Sequence, residues 1–204
     1  MNKRGFTLIE LVIVMVIIGL IAAIAIPALL RARMSSNEGS TLGTLRTLAT
    51  SQAQIQANKV IDQDGDGTGE YGLLGELTGV INIPGTDRTV NPAYLTRSLA
   101  PVGTDTYASK SGYYFRVYLP VSTGNPLTEV APGSSRSISA DNANFQEIKW
   151  RGYAWPASSN STGDKAFAVD RAAEVYAFAN TEPLFTSTTS MCAYNSATVN
   201  GSTT

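Results

Sequence analysis

The chain of 204 residues contains no histidine and one cysteine, Cys192. Without histidine it lacks the commonest general base, the Ser-His and Cys-His nucleophile pairs and the usual catalytic zinc ligands. A lone cysteine forms no intramolecular disulfide, so cysteine pairing says nothing about redox compartment, and Cys192 reads as a small buried hydrophobe. Charge of one sign is also missing: 15 Lys and Arg face 16 Asp and Glu, for a formal net charge of -1. Beyond the first four residues no basic tract reaches the length that nucleic-acid binding needs, so no direct nucleic-acid partner is expected.

Charge is scarcest near the start. Leu11 to Leu30 is a run of twenty uncharged residues, and as a helix it spans about 30 Å, the thickness of a bilayer core. Lys3 and Arg4 before it hold the start of the chain on the cytoplasmic side. Glu10 stands at the edge of this span, where an unpaired carboxylate costs a few kcal/mol as it moves inward, so it needs a partner. A secretory signal with an A-x-A site at Ala23-Ile24-Ala25 fits the general pattern, but its apolar core is then long and Glu10 has no role. A plain membrane anchor explains length and orientation but not the run Gly5-Phe6-Thr7-Leu8-Ile9-Glu10.

That run, followed by an apolar helix, resembles the class III signal of type IV prepilins and type II secretion pseudopilins. The resemblance carries its motifs in about the first sixty residues. It implies a leader of residues 1–5, cut after Gly5 by a prepilin peptidase, with N-methylation of Phe6. It also implies a homopolymer built by the pilus assembly machinery of the inner membrane, with Glu10 as the fifth mature residue. Gly19 and Pro27 fall where many pilins carry helix-weakening residues. A single-pass inner-membrane protein with a periplasmic head, later an extracellular filament subunit, is what the family leads one to expect. Within the family, a minor pilin or a pseudopilin remains open; outside it, a membrane-anchored periplasmic enzyme or sensor does.

The physics of assembly follows from the residues themselves. A new amine at Phe6 and the Glu10 carboxylate lie on an otherwise apolar rod. Glu10 of one subunit facing the Phe6 amine of another sets axial register, while apolar packing supplies adhesion. Gly costs about 1 kcal/mol and Pro about 3 relative to Ala inside a helix, so the stretch from Gly19 to Pro27 has a weakened hydrogen-bond ladder; both residues are also common in membrane helices without any such role.

The expected fold class is α+β: a helix over residues 6–60, transmembrane over about 8–30 and then amphipathic, packed on a small antiparallel sheet in a head of residues 61–204. Leu42, Leu45, Ala49, Ala53 and Val60 fall near one helical face, with Leu48 and Ile55 on its flank. Arg31, Arg33, Glu38 and Arg46 read as a solvated or intersubunit face. Gly112 to Leu119 alternates as a half-buried strand, with Tyr113, Phe115, Val117 and Leu119 on one side and Tyr114, Arg116 and Tyr118 on the other. Further strands are expected at Gly152–Trp155, Lys165–Asp170 and Glu174–Phe178, with a turn around Arg171 and Ala172 and a short helix around Tyr71–Leu77. Residues 122–139 and 181–204 are rich in Ser, Thr and Asn and read as loop and tail. Asn160-Ser161-Thr162 and Asn200-Gly201-Ser202 match a glycosylation tripeptide too short to carry a role.

Asp62, Asp64 and Asp66 alternate with Gly67 at the sixth position, which reproduces the front half of an EF-hand loop and makes calcium the candidate cofactor. Leu73 stands twelfth, where a bidentate Glu belongs, so Glu70 or Glu76 would have to substitute. A solvated acidic turn has the same composition.

Overall fold

The computed structural model describes residues 6–101, 107–122, 126–130, 135–136 and 140–180. Gly5, Cys192, the tripeptide at Asn200 and most of the expected loop and tail lie outside them.

Helix α1, Leu8–Ala57, has 50 residues and is about 75 Å long. It ends slightly before the expected Val60, at the C-cap Asn58, whose amide donates to Gln54 O. Only its second half is packed. The buried face is Thr41, Thr44, Leu45, Leu48, Ala49, Ser51, Gln52 and Ile55, with Leu42 and Val60 partly buried against the same core. Ala53, expected on this face, is exposed. The face mixes polar with apolar residues because the head supplies hydrogen-bond partners: Ser51 Oγ donates to Tyr94 O at 3.0 Å. Gln52 Nε2 donates to Gly72 O at 2.6 Å and its Oε1 accepts from Gly72 N at 2.9 Å. Thr41 and Thr44 instead bond back to the carbonyls of Asn37 and Ser40 in the preceding turn.

The sheet has five antiparallel strands in the order β1-β2-β3-β4-β5: β1 Ala108–Lys110, β2 Tyr113–Tyr118, β3 Arg151–Pro156, β4 Lys165–Asp170 and β5 Val175–Ala179. Strands β1 and β2 are joined by Ser111 and Gly112, with φ of 51° and 73°, the conformation that a two-residue hairpin of right-handed twist demands. One sheet face, carrying Phe115, Val117, Ala154, Phe167 and Val169, closes on Leu45, Leu48 and Ile55 of α1. At Gly152 a Cβ would stand 3.0 Å from Leu48 Cδ2 and 3.0 Å from Val169 Cγ1, so a missing side chain lets helix and sheet approach. The other face is buried as well, around Tyr118, Tyr153 and Trp155. Strand β2 is therefore not half-buried as expected: Arg116 is 7% and Tyr118 4% exposed, with the Arg116 guanidinium stacked 5.6 Å from the Tyr118 ring centroid.

Between α1 and the sheet the chain is anchored by buried Leu73, Leu74, Leu77, Ile81, Val90, Leu95 and Leu99. It forms the short helix α2, Leu74–Leu77, and a 3-10 turn, Arg97–Leu99. A further helix, α3, Ala140–Ile148, precedes β3. A buried polar network ties these pieces together. Arg136 pairs with Glu76 at 2.8 Å and donates to Gln146 Oε1 at 2.8 Å and Tyr71 O at 3.0 Å. The Glu129 carboxylate accepts from the amides of Leu74 and Gly75 at 2.7 and 3.1 Å.

Candidate functional site

The first half of α1 is a bare apolar rod. Its most apolar 18-residue window is 0% buried, and Leu, Ile, Val and Met side chains are exposed all round it from Leu8 to Leu30. Each such side chain gains about 1.5–3 kcal/mol on leaving water, so this surface must be covered by lipid or by other apolar rods. The 23 residues from Leu8 to Leu30 measure about 35 Å, enough to cross a membrane. Arg31 and Arg33, both exposed, stand at the far end.

At the near end Phe6 is 91% exposed. Thr7 is the N-cap, with extended backbone, and Glu10 the third helical residue; together they form a reciprocal capping box. Thr7 Oγ1 accepts from Glu10 N at 3.3 Å, and Glu10 Oε2 accepts from Thr7 N at 2.8 Å and from the Thr7 hydroxyl at 2.7 Å. The carboxylate is therefore held in a defined rotamer against Thr7. Sequence reasoning missed the role of Thr7, for which the T-x-x-E spacing ahead of an apolar run was a usable signal. Within the single subunit α1 runs unbroken through Gly19 and Pro27.

The first 26 residues match the family model described as the prokaryotic N-terminal methylation motif. This end of the chain resembles a methylation motif. Over 75 residues, 37% of the chain, it is also 41% identical to the type IV major pilin protein PilA of Myxococcus xanthus (strain DK1622). Both findings support a type IV pilin, and the long apolar helix with its antiparallel sheet has a pilin-like α+β arrangement. The chain spans about a third of that relative's length, 33%. No solved structure matches it.

Beyond the motif-bearing helix, the acidic loop is the second candidate site. One carboxylate oxygen from each of Asp62, Asp64 and Asp66 lies within 4.8 Å of the others. Gly67 has φ of +85°, the left-handed turn expected of the sixth position. Glu70 is fully buried and reaches back into the loop, its Oε1 accepting from Gln63 N at 2.9 Å. Burial pushes the Glu70 carboxyl above its ordinary range; the Gln63 amide and Arg136 oppose this, and Asp64 and Asp62 add to it. Glu76 does not join them. It is buried in its pair with Arg136 and caps Leu73 N at 2.8 Å, which removes it as a substitute for the missing twelfth ligand. Leu73 at that position is a core residue, 0% exposed. Glu38, read as solvated or intersubunit, instead docks the head: it pairs with Lys165 at 3.4 Å and accepts from Asp164 N at 3.2 Å.

Proposed function

We propose that the chain is a structural subunit of a type IV pilus whose activity is assembly rather than catalysis. The observation that carries this reading is the division of α1: a bare apolar half bearing one carboxylate at its start, and a packed half bearing the whole head. A membrane-anchored globular protein needs the first half and can use Glu10 as a helix cap, but it gives no role to a continuous 50-residue helix that carries the head on its far half. In the proposed pathway the rod sits in the inner membrane with the head in the periplasm. The prepilin peptidase cuts after Gly5, Phe6 is N-methylated, and the inner-membrane assembly machinery moves the rod from lipid into a helical bundle. Lipid and neighbouring rods offer the same apolar environment, so transfer costs little burial, and attraction between Glu10 and a neighbour's Phe6 amine selects the register. The relative is itself a type IV major pilin, which favours a pilus subunit over an enzyme. Mass spectrometry of sheared surface filaments tests the reading. The expected mature chain starts at N-methylated Phe6, and a chain starting at Ile26, after conventional cleavage at Ala25, would overturn it.

A further inference from the structure

We propose that Asp62, Asp64, Asp66, Glu70 and Glu147 form a calcium site that staples the end of α1 to α3. The proposal is independent of the pilus reading, since it concerns the head alone.

Three clustered aspartates at a helix end are commonplace. What distinguishes this cluster is two buried carboxylates beside it, Glu70 from the loop itself and Glu147 from α3. Glu70 is 0% exposed and its Oε2 has no hydrogen-bond partner among the described residues, although its other oxygen is fixed on the loop amide between Asp62 and Asp64. Glu147, on the last turn of α3, is 9% exposed, and its Oε1 is likewise buried without a hydrogen bond among those residues. A buried carboxylate oxygen with nothing to accept from is costly, and two beside three further acids are costlier still. A hard divalent cation with oxygen ligands removes that cost.

The backbone brings the parts together. Gln56 of α1 donates from Nε2 to the carbonyl of Glu147, and Tyr71 N donates to Gln146 O at 3.0 Å, so the last turn of α3 sits against the loop. Among the described residues, the carboxylate oxygens that lie within 4.8 Å of one another are those of Asp62, Asp64 and Asp66; Glu70 is tied to that trio through Gln63 N and Glu147 through the last turn of α3. Three cations lie nearby. Arg171 Nη1 donates to Ile148 O at 3.3 Å. Arg136 is engaged by Glu76 at 2.8 Å. Lys59 Nζ lies 3.8 Å from where a Cβ on Gly67 would stand, and the ion pairs among the described residues, Arg136–Glu76 and Lys165–Glu38, do not include it.

In the proposed site the loop supplies the first, third and fifth ligands, Glu70 stands at the ninth position, and Glu147, distant in sequence, closes on the ion in place of the absent twelfth. Oxygen-only ligands in this number suit calcium better than magnesium, which holds several waters and demands a tighter octahedron. Tyr71 follows Glu70 in the chain and is the candidate antenna for terbium as a calcium surrogate.

The test uses the full chain in detergent micelles, with terbium luminescence and thermal melts in calcium, magnesium or chelator. Calcium at about a hundred times Kd is expected to raise Tm by about 5–10 °C. Asp64→Asn should abolish both the shift and the luminescence, and Glu147→Gln should weaken calcium affinity about 10-fold or more, with circular dichroism verifying that each variant is folded. Equal Tm in calcium and chelator at millimolar calcium would overturn the site, leaving Lys59 as the loop's counter-ion. A folded Glu147→Gln protein that binds calcium like the wild type would overturn the staple.

Discussion

A single carboxylate at the tip of an apolar rod has two partners to choose between. In the isolated subunit Glu10 is satisfied locally by the amide and hydroxyl of Thr7. In the proposed filament it turns to a neighbour's Phe6 amine, and the capping box keeps it oriented until then. Glu10→Ala removes the partner but not the apolar span, so membrane insertion is expected to persist while filament yield falls steeply. Glu10→Gln keeps much of the cap but not the charge, and it should fail almost as badly. Normal yield of sheared filaments from both variants would show that charge does not set register.

At the scale of elements, the seam between α1 and the head depends on polar side chains more than the hydrophobic pattern suggests. Gln52 satisfies both the N–H and C=O of Gly72 from a fully buried position. Gln52→Leu preserves volume but orphans two backbone groups, each worth about 1–3 kcal/mol, and urea unfolding should register a loss of that order. The same mixture explains what could be read from sequence. Lys165–Asp170 was legible to the residue because Ala166, Phe167, Ala168 and Val169 form an uninterrupted buried run. The apolar stripe of α1 was only partly legible, since Ala53 follows the helical period yet faces solvent, while Gln52 and Ser51 are buried through hydrogen bonds to distant carbonyls. Helix α3 leaves its large apolar residues, Phe145 and Ile148, exposed and was not read as an element. Its packing depends on Gln146, which bonds to Arg136 and to Pro120 O. Strand β1 has three residues, too few for a period, although the Ser111-Gly112 turn beside it was a usable hairpin signal. The methylation-like motif was legible because it is local, whereas the seating of the last turn of α3 beside α1, through Gln56 and the Glu147 carbonyl, comes only from the tertiary fold.

For the whole molecule, stability should depend on pH through the buried acids under α2. Glu129 is pushed up to about 8 by burial first, then by Glu76; the amides of Gly75 and Leu74 and the Arg116 guanidinium oppose the rise. Glu76 is raised in the same direction, again by burial, against Arg136 and the Leu73 amide. From the model-compound value of 4.5 up to about 8, the folded chain holds a Glu129 proton that the unfolded chain releases. The contribution is therefore fully present below about pH 4.5 and is lost as pH rises toward 8, at up to about 1.4 kcal/mol per pH unit. Urea midpoints at pH 5, 6.5 and 8 should fall in that order, and Glu129→Gln should flatten the trend. A rising midpoint in the wild-type chain would contradict it.

The asymmetry of α1 also fixes where tension would travel. When a filament built as proposed is pulled, load passes along the 50-residue helix and across the rod-to-rod contacts of its bare half. The five-stranded sheet hangs beside that path, fastened laterally through Leu45, Leu48, Ile55 and the Glu38–Lys165 pair. Traction thus loads the ladder of the shaft and its Gly19–Pro27 stretch, where extension can occur without opening a strand. The outward surface of the head is mechanically idle, free to change its chemistry without changing the strength of the fibre.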